Sequence, residues 1–257
     1  MLPLFIAAQA PKLNPYPAFK RGEQLSYRVH YGVIDAGEVI IEVTTENKNF
    51  ATGPTYHLVG HGRSTGSFDW FYKVRDRYDS YVDENTLTPH FFMRRVNEDG
   101  YIINQDYLFQ QEQKLVTVKR DGSDKPRNTA SKQFEIPART QDMLSAFYFA
   151  RSIDLSKVKP GETITVETFF DEEVFPLNFK IIGRETIKTK VGKIRCLKIR
   201  PVIQKGRVFN DEEDLTIWVS DDKNRIPVRL QADVLVGSIK MDLKACRNLL
   251  HELALTE

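Results

Sequence analysis

The sequence predicts an all-β fold: an antiparallel, strongly curved sheet or pair of sheets, forming an incomplete barrel or a sandwich around one buried helix. Three observations predict it. Short segments of alternating apolar and polar residues follow one another along most of the chain, with turn signals between them. One stretch, Arg139 to Ile153 (RTQDMLSAFYFARSI), reads as helix instead, over about 140–153, and is apolar nearly all the way round. A helix with no polar face has to be covered on several sides, so the strands are expected to wrap it.

The first ten residues, MLPLFIAAQA, carry no charge and end in Ala8-Gln9-Ala10 ahead of Pro11. They read as the second half of a secretory signal peptide lacking its basic leading region, with an apolar N-terminal strand as the alternative. Residues 11–257 are then expected to form a single β domain with a central helix, exported to the periplasm or cell envelope. Pro11, Pro15 and Pro17 make the lead-in extended.

Strands follow. In LSYRVHYGV, Leu25, Tyr27, Val29, Tyr31 and Val33 alternate with polar residues, and Asp35-Ala36-Gly37 turns into EVIIEVTTE. TYHLVGHGRS precedes an aromatic knot, Phe68 to Tyr72, which leads into KVRDRYDSYVD. HFFMRRVNE, YIINQDYLFQ and KLVTVKR complete the first half, and a polar loop over 121–131 closes it. Thr140 is the expected N-cap of the helix, with Asp142 complementing its N-terminus. The second half is again strands, from TITVETFF to SIKMDLKAC, giving about fourteen in all. Gly237 marks a sharp bend or bulge between two of them.

The chain has 257 residues, 41% of them hydrophobic and 28% charged, a globular composition. Thirty-seven basic residues against 35 acidic ones leave a net charge of +2, which gives no reason to expect a nucleic-acid partner. No stretch reaches the roughly eighteen apolar residues of a membrane-spanning helix, so any membrane association is expected to be peripheral. The two cysteines, Cys196 and Cys246, both fall on polar strand faces by alternation, compatible with a disulfide across one sheet surface. Two intervening strands would separate them by about 14 Å, however, against the ~7 Å a disulfide spans.

No motif carries catalysis. His57 and His61 have the spacing of a zinc pair on a helix, but in a strand they lie about 13 Å apart, and cross-strand polar contacts are the expectation. Asp69, Asp76 and Asp79 flank the aromatic knot, yet nothing fixes the separation that a pair of glycosidase carboxylates requires. The acidic runs Asp171–Glu173 and Asp211–Asp214 lack calcium-loop spacing and read as solvated turns. No catalytic residue, metal ligand or cofactor is expected. The positive signal is aromatic: Trp70, Tyr72, Phe147, Tyr148 and Trp218, with Phe71 and Phe149, either line an apolar pocket or belong to the core.

Several segments carry a resemblance: GEQLSYRVHYGVIDAGEVIIEV at 22–43, VRDRYDSYVDENTLTPHFF at 74–92, QDMLSAFYFAR at 141–151 and DLTIWVSDDKNRIPVRLQADVLVGSIKMDL at 214–243. With these the chain resembles an exported bacterial family, the domain of unknown function 3108, which implies no activity and no site residues. A shorter pattern, Leu215 to Leu230, is similar to the penultimate hairpin of periplasmic lipoprotein-localisation carriers, whose half-closed barrels hold helices in the concave face.

The expected function is accordingly non-enzymatic: binding of a lipid or other apolar small molecule in a concave β face, with Asp142, Tyr148 and Arg151 gating that space if the helix moves. The alternatives are an envelope protein-interaction module with a packed interior and, further off, a carbohydrate-active enzyme.

Overall fold

Alternating segments become strands, and the strands join into a single sheet. The computed structural model describes residues 11–50, 53–120, 131–155, 158, 161–202, 215–234 and 237–257. The first half contributes β1 (Gln24–Tyr31), β2 (Ile34–Val43), β3 (Lys48–Phe50), β4 (Gly53–Ser64), β5 (Arg75–Asp83), β6 (Pro89–Glu98), β7 (Tyr101–Gln110), β8 (Leu115–Arg120) and β9 (Ser131–Glu135). The second half contributes β10 (Thr163–Phe170), β11 (Glu173–Lys188), β12 (Lys193–Val202), β13 (Leu215–Ser220), β14 (Pro227–Asp233), β15 (Ser238–Arg247) and the short β16 (Leu255–Thr256). Two helices interrupt them, α1 (Phe68–Phe71) in the aromatic knot and α2 (Met143–Arg151) between the halves.

The strand order is β10-β11-β12-β13-β14-β15-β1-β2-β4-β5-β6-β7-β8-β9, with β16 beside β12 and β3 beside β4, all antiparallel. The pairing of β15 with β1 joins the two halves, so β9 and β10, successive strands in the sequence, become the two ends of the sheet. The sheet is not closed. It is an incomplete barrel, and α2 lies in the connection that spans its gap.

Side chains reach across that gap. Phe169 of β10 packs on Phe134 of β9 and Tyr107 of β7, with ring centroids 5.4 and 5.8 Å away. The turn after β10 adds charge: Asp171 pairs with Arg94 of β6 at 2.7 Å, and Glu172 with Arg120 of β8 and Lys132 of β9. The acidic run at 171–173, read from the sequence as a solvated turn, therefore helps tie the two ends together. The edge of β10 is covered as well. Gln141 pairs with it through Gln141 N–H to Glu167 O and Phe169 N–H to Gln141 O, each 2.8 Å, so the strand does not present a bare ladder to another chain.

The helix is shorter than predicted and begins at a different cap. Asp142, not Thr140, is the N-cap: its carboxylate accepts from the Leu144 and Ser145 amides at 2.8 Å, and the Ser145 hydroxyl accepts from the Asp142 amide. The Thr140 hydroxyl instead donates to Pro137 O. Helix α2 packs against β4, β5 and β10. At Gly60 of β4 the absence of a side chain makes room for Leu144, whose methyl carbon would lie 3.6 Å from an added Cβ.

The cysteines are free. Cys196 lies buried on β12. Cys246 does not share the Lys240–Asp242 face that simple alternation assigns it. A bulge in β15 pairs Tyr27 with Leu243 but Leu25 with Cys246, which turns the thiol to the side that holds those buried residues. Gly237 occupies the turn between β14 and β15 in the left-handed region, φ +82°. The predicted signal-like segment 1–10, most of the polar loop at 121–131 and the acidic run Asp211–Asp214 lie outside the described residues.

Candidate functional site

Most of the surface of α2 is buried. Leu144, Ser145, Ala146, Tyr148, Phe149 and Arg151 are buried, whereas Phe147 and Ala150 are half-buried and Met143 is exposed. Met143, Phe147 and Ala150 follow at i, i+4 and i+7, so they form one stripe along α2. A stripe that is apolar but not packed is unusual in a helix held inside a sheet. It borders a cavity of about 250 Å³.

The facing wall comes from the second half of the sheet. Leu177 and Phe179 of β11, Ile199 and Pro201 of β12, and Ile217 and Val219 of β13 line it. Register explains the wall: Ile199 pairs with Ile217 and Leu197 with Val219, so adjacent strands present the same apolar face. Ala146, Leu155 and Pro227 also line the cavity.

Among the described residues, two arginines at one end are the only charged residues of the lining, and both are occupied. Arg151, at the C-terminus of α2, forms a buried bidentate pair with Glu23, and its Nε donates to Asn224 O at 3.0 Å. Phe19, Phe147 and Tyr148 surround its guanidinium, with centroids 5.1–5.7 Å away. Arg225 donates to Arg151 O and Ile153 O, which satisfies carbonyls left over at the helix end. Burial lowers the Arg225 pKa, against the pull of Asp154, Asp222 and Asp221. Among the described residues the cleft thus offers hydrocarbon on both walls and no free acid or base, an arrangement for holding an apolar group rather than for moving protons.

The structure scatters the predicted aromatic residues. Phe147 lines the cleft. Tyr148 points away from it into the core, 1% exposed, with its ring 4.7 Å from Phe19. Trp218 lies on the opposite face of β13 from Ile217 and Val219, under Lys198, and donates to Glu185 at 3.0 Å. Trp70 and Tyr72 sit on and just after α1, 90% and 40% exposed. Sequence reasoning missed Leu177, Phe179 and Pro201. The signal for Ile199, Ile217 and Val219 was present, because alternation put them on one face of their strands.

The residues suggested for gating are anchors. Asp142 accepts from the Ser80 hydroxyl at 2.6 Å as well as from the helix amides. Burial raises its carboxyl to about 6, and the hydrogen bonds from Ser80, Ser145 and Leu144 only partly oppose this. With Arg151 tied to Glu23, α2 is held at both ends.

A second polar cluster lies on the other face of β4 and β5. His57 bonds to Asp79 at 2.9 Å, lies 2.6 Å from Glu46, and stacks on Tyr81 at 4.3 Å. Arg77 grips Asp79 with two bonds of 2.7 Å. Burial acts to raise Asp79, but Arg77 and His57 prevail and hold its carboxyl far below the usual range. A carboxylate fixed in that way is a structural anion, not a proton donor. Asp76 falls on the opposite face of β5 from Asp79, and Asp69 is engaged by Arg75 and Ser64, so these three carboxylates do not converge. His61 is on the Asp79 side of the sheet, beside Arg63 and Arg77. Among the described residues no group of three or more His, Cys, Asp or Glu is placed to hold a metal ion.

A family model described as a protein of unknown function (DUF3108) matches residues 26–244. No curated protein matches the chain. Among solved structures, the chain is similar to a β-barrel-like protein of the domain of unknown function DUF1849 from Brucella abortus. The two are 11% identical, with a TM-score of 0.55 over 87% of this chain and 96% of the other. At that identity the likeness is one of fold. A predicted exported protein with a YmcC-like fold from Bacteroides fragilis is 9% identical, with a TM-score of 0.34 over 91% of this chain and 98% of that one. A predicted lipoprotein from Parabacteroides distasonis is 11% identical, with a TM-score of 0.32 over 90% and 97%.

Proposed function

The chain belongs to the DUF3108 family of proteins of unknown function, and from that membership, which brings no activity with it, we propose that it binds the acyl chain of a lipid-like amphiphile in the cleft between α2 and the inner face of β11–β13. One observation carries the reading: the apolar stripe Met143, Phe147, Ala150 faces an apolar wall across about 250 Å³ of unfilled space. An engineered apolar cavity of roughly 150 Å³ already admits benzene and stays dry. Water in this cleft finds few polar partners, whereas each methylene that enters it contributes about 0.8 kcal/mol.

The reading is of carriage or sensing, without chemistry on the ligand. It places the protein at the cell envelope, on the strength of the apolar MLPLFIAAQA segment with its A-x-A pattern.

Native mass spectrometry of gently purified protein, with and without solvent extraction, tests the binding. A co-purifying species of defined lipid mass, lost on extraction and regained on incubation with fatty acid, is the expected result. A clean apo mass that incubation with fatty acid or total lipid extract leaves unchanged would remove the reading and leave a protein-interaction module as the better account.

A further inference from the structure

The two ends of the incomplete barrel differ. At one end lie the turns β1–β2, β6–β7, β10–β11 and β14–β15 and the α1 segment between β4 and β5, as the strand registers require. Most of the exposed large apolar side chains among the described residues belong to this end. Val33 is 93% exposed, Trp70 90%, Tyr101 65%, Phe71 60%, Ile34 54% and Val234 44%. The opposite end carries Glu84, Gln111, Glu112, Lys190, Asp221 and Lys223 at its turns, with Leu255 and Tyr16 as its exposed large apolar side chains.

The apolar tips form one rim, because neighbouring turns touch. The Tyr31 hydroxyl would lie 2.9 Å from a Cβ on Gly237, so the β1–β2 and β14–β15 turns meet. Thr65 N–H donates to Ala36 O, which joins the α1 segment to β2, and Asp99 N–H donates to Lys73 O, which joins it to the β6–β7 turn.

We propose that this rim docks on a lipid bilayer surface. Three features favour a bilayer over a protein partner. First, the apolar groups stand as separate points on several turns with polar positions such as Asp35, Asp69 and Asp99 between them. A fluid interface accommodates such points, whereas a protein partner would need a matching pit for each. Second, Trp and Tyr, with an apolar ring and a polar handle, are the side chains that settle at the headgroup level. Third, the exposed Lys73 follows Tyr72 at the same end, a long side chain with an apolar stem and a charged head suited to the headgroup level.

One end of the cleft lies toward the rim. Pro201 and Ile217, which line it, sit near the ends of β12 and β13 that face the rim. A docked protein would thereby hold that end of the cleft toward the bilayer. That last link rests on the acyl-binding reading; docking itself does not.

Trp70 is a built-in probe, because Trp218 is the only other tryptophan in the chain. A Trp218→Phe variant reports on Trp70 alone, with vesicles of pure phosphatidylcholine and of an equal mixture with phosphatidylglycerol. The expected result is a blue shift of Trp70 emission, and quenching by brominated lipid, on both vesicles. Wild-type protein should float with the same vesicles, and the double variant W70S/V33S should bind roughly tenfold less with an unchanged Tm. Failure of the wild type to associate with either vesicle, or undiminished association of W70S/V33S, would overturn the proposal. Native mass spectrometry of the same samples separates the two readings. Protein that docks but never carries lipid leaves the rim standing without the cleft, and protein that carries lipid but never docks does the reverse.

Discussion

Arg151, the last residue of α2, and Glu23, the residue before β1, meet in the interior as a bidentate ion pair, with Nη1–Oε1 2.5 Å and Nη2–Oε2 2.9 Å and side chains 2% and 0% exposed. The pair fixes the C-terminal end of the helix to the strand through which the two halves of the sheet are joined. It therefore sets how far α2 stands from the β11–β13 wall, and with that the width of the cleft. The other donors of Arg151 reach Asn224 O and Ala18 O, so the guanidinium is fully engaged.

Breaking the pair from one side should be costly, because it strands a buried charge. Glu23→Gln is expected to destabilise the protein by about 3–5 kcal/mol in urea unfolding. Replacing both partners by apolar residues, as in E23L/R151M, should recover much of that loss, since no charge is then left without its partner. A Glu23→Gln change smaller than about 1 kcal/mol would show that solvent reaches the pair and that it does not hold the helix.

Asp142 gives a pH signature of the opposite sign from the other carboxylates. Its folded-state value is about 6, against 3.8 for the ordinary group. Below about pH 4 both folded and unfolded forms are protonated, and the buried group carries no penalty. As pH rises from there to about 6, the unfolded chain ionises first, so stability falls by an amount on the order of 3 kcal/mol and stays reduced above. Asp79, Asp83 and Asp242, held low in the folded state, contribute stability at neutral pH that is lost on acidification. Asp142→Asn keeps an N-cap acceptor and removes the ionisation. Relative to wild type it should therefore gain about 3 kcal/mol between pH 4 and pH 7 in paired denaturant titrations. Parallel wild-type and variant profiles would mean that Asp142 titrates normally.

Much of the architecture was legible because alternation and the lone apolar helix are local signals. The failures were local competitions or long-range choices. Thr140 and Asp142 are both capping residues, and the Pro137 carbonyl claims the first. The strand β9, SKQFE, is an exposed edge and has no apolar alternation to read. Cys246 was assigned the wrong face because one bulge residue reverses every assignment beyond it. In the cleft, Ile199 and Ile217 could be grouped by face, but their position opposite Phe147 depends on β15 pairing with β1 across the whole chain, which no local pattern encodes. Trp70 was grouped with core aromatics by residue type alone, whereas α1 carries it to a turn tip.

The cysteines yield a simple chemical prediction. Burial pushes the Cys196 thiol up to about 12 and raises Cys246 as well. A thiol that is both buried and protonated is a poor nucleophile. In native buffer Cys196 should resist iodoacetamide and gain its adduct only after unfolding, the half-buried Cys246 should react slowly, and reductant should leave Tm unchanged. An intact-mass deficit of two hydrogens in unreduced protein would instead reveal a disulfide and a different arrangement of β12 and β15.

The cleft itself can be tested by filling it. Ala150 lies on the open stripe of α2, so a larger side chain there projects into the space rather than into the packed core. Ala150→Leu adds three carbons where room exists. Its effect on stability should be within about 1.5 kcal/mol of wild type, and in the stabilising direction if the cleft is dry. The same change should abolish lipid recovery, because the added side chain occupies the path of the acyl chain between Phe147 and the Ile217–Val219 wall. Ala18→Leu, in the packed core at 2% exposure and away from the cleft, is the control for overpacking and should cost about 1–3 kcal/mol. If Ala150→Leu were as destabilising as Ala18→Leu, the stripe would be packed in solution and the cleft closed. If it were neutral but lipid recovery persisted, the ligand would lie elsewhere in the barrel.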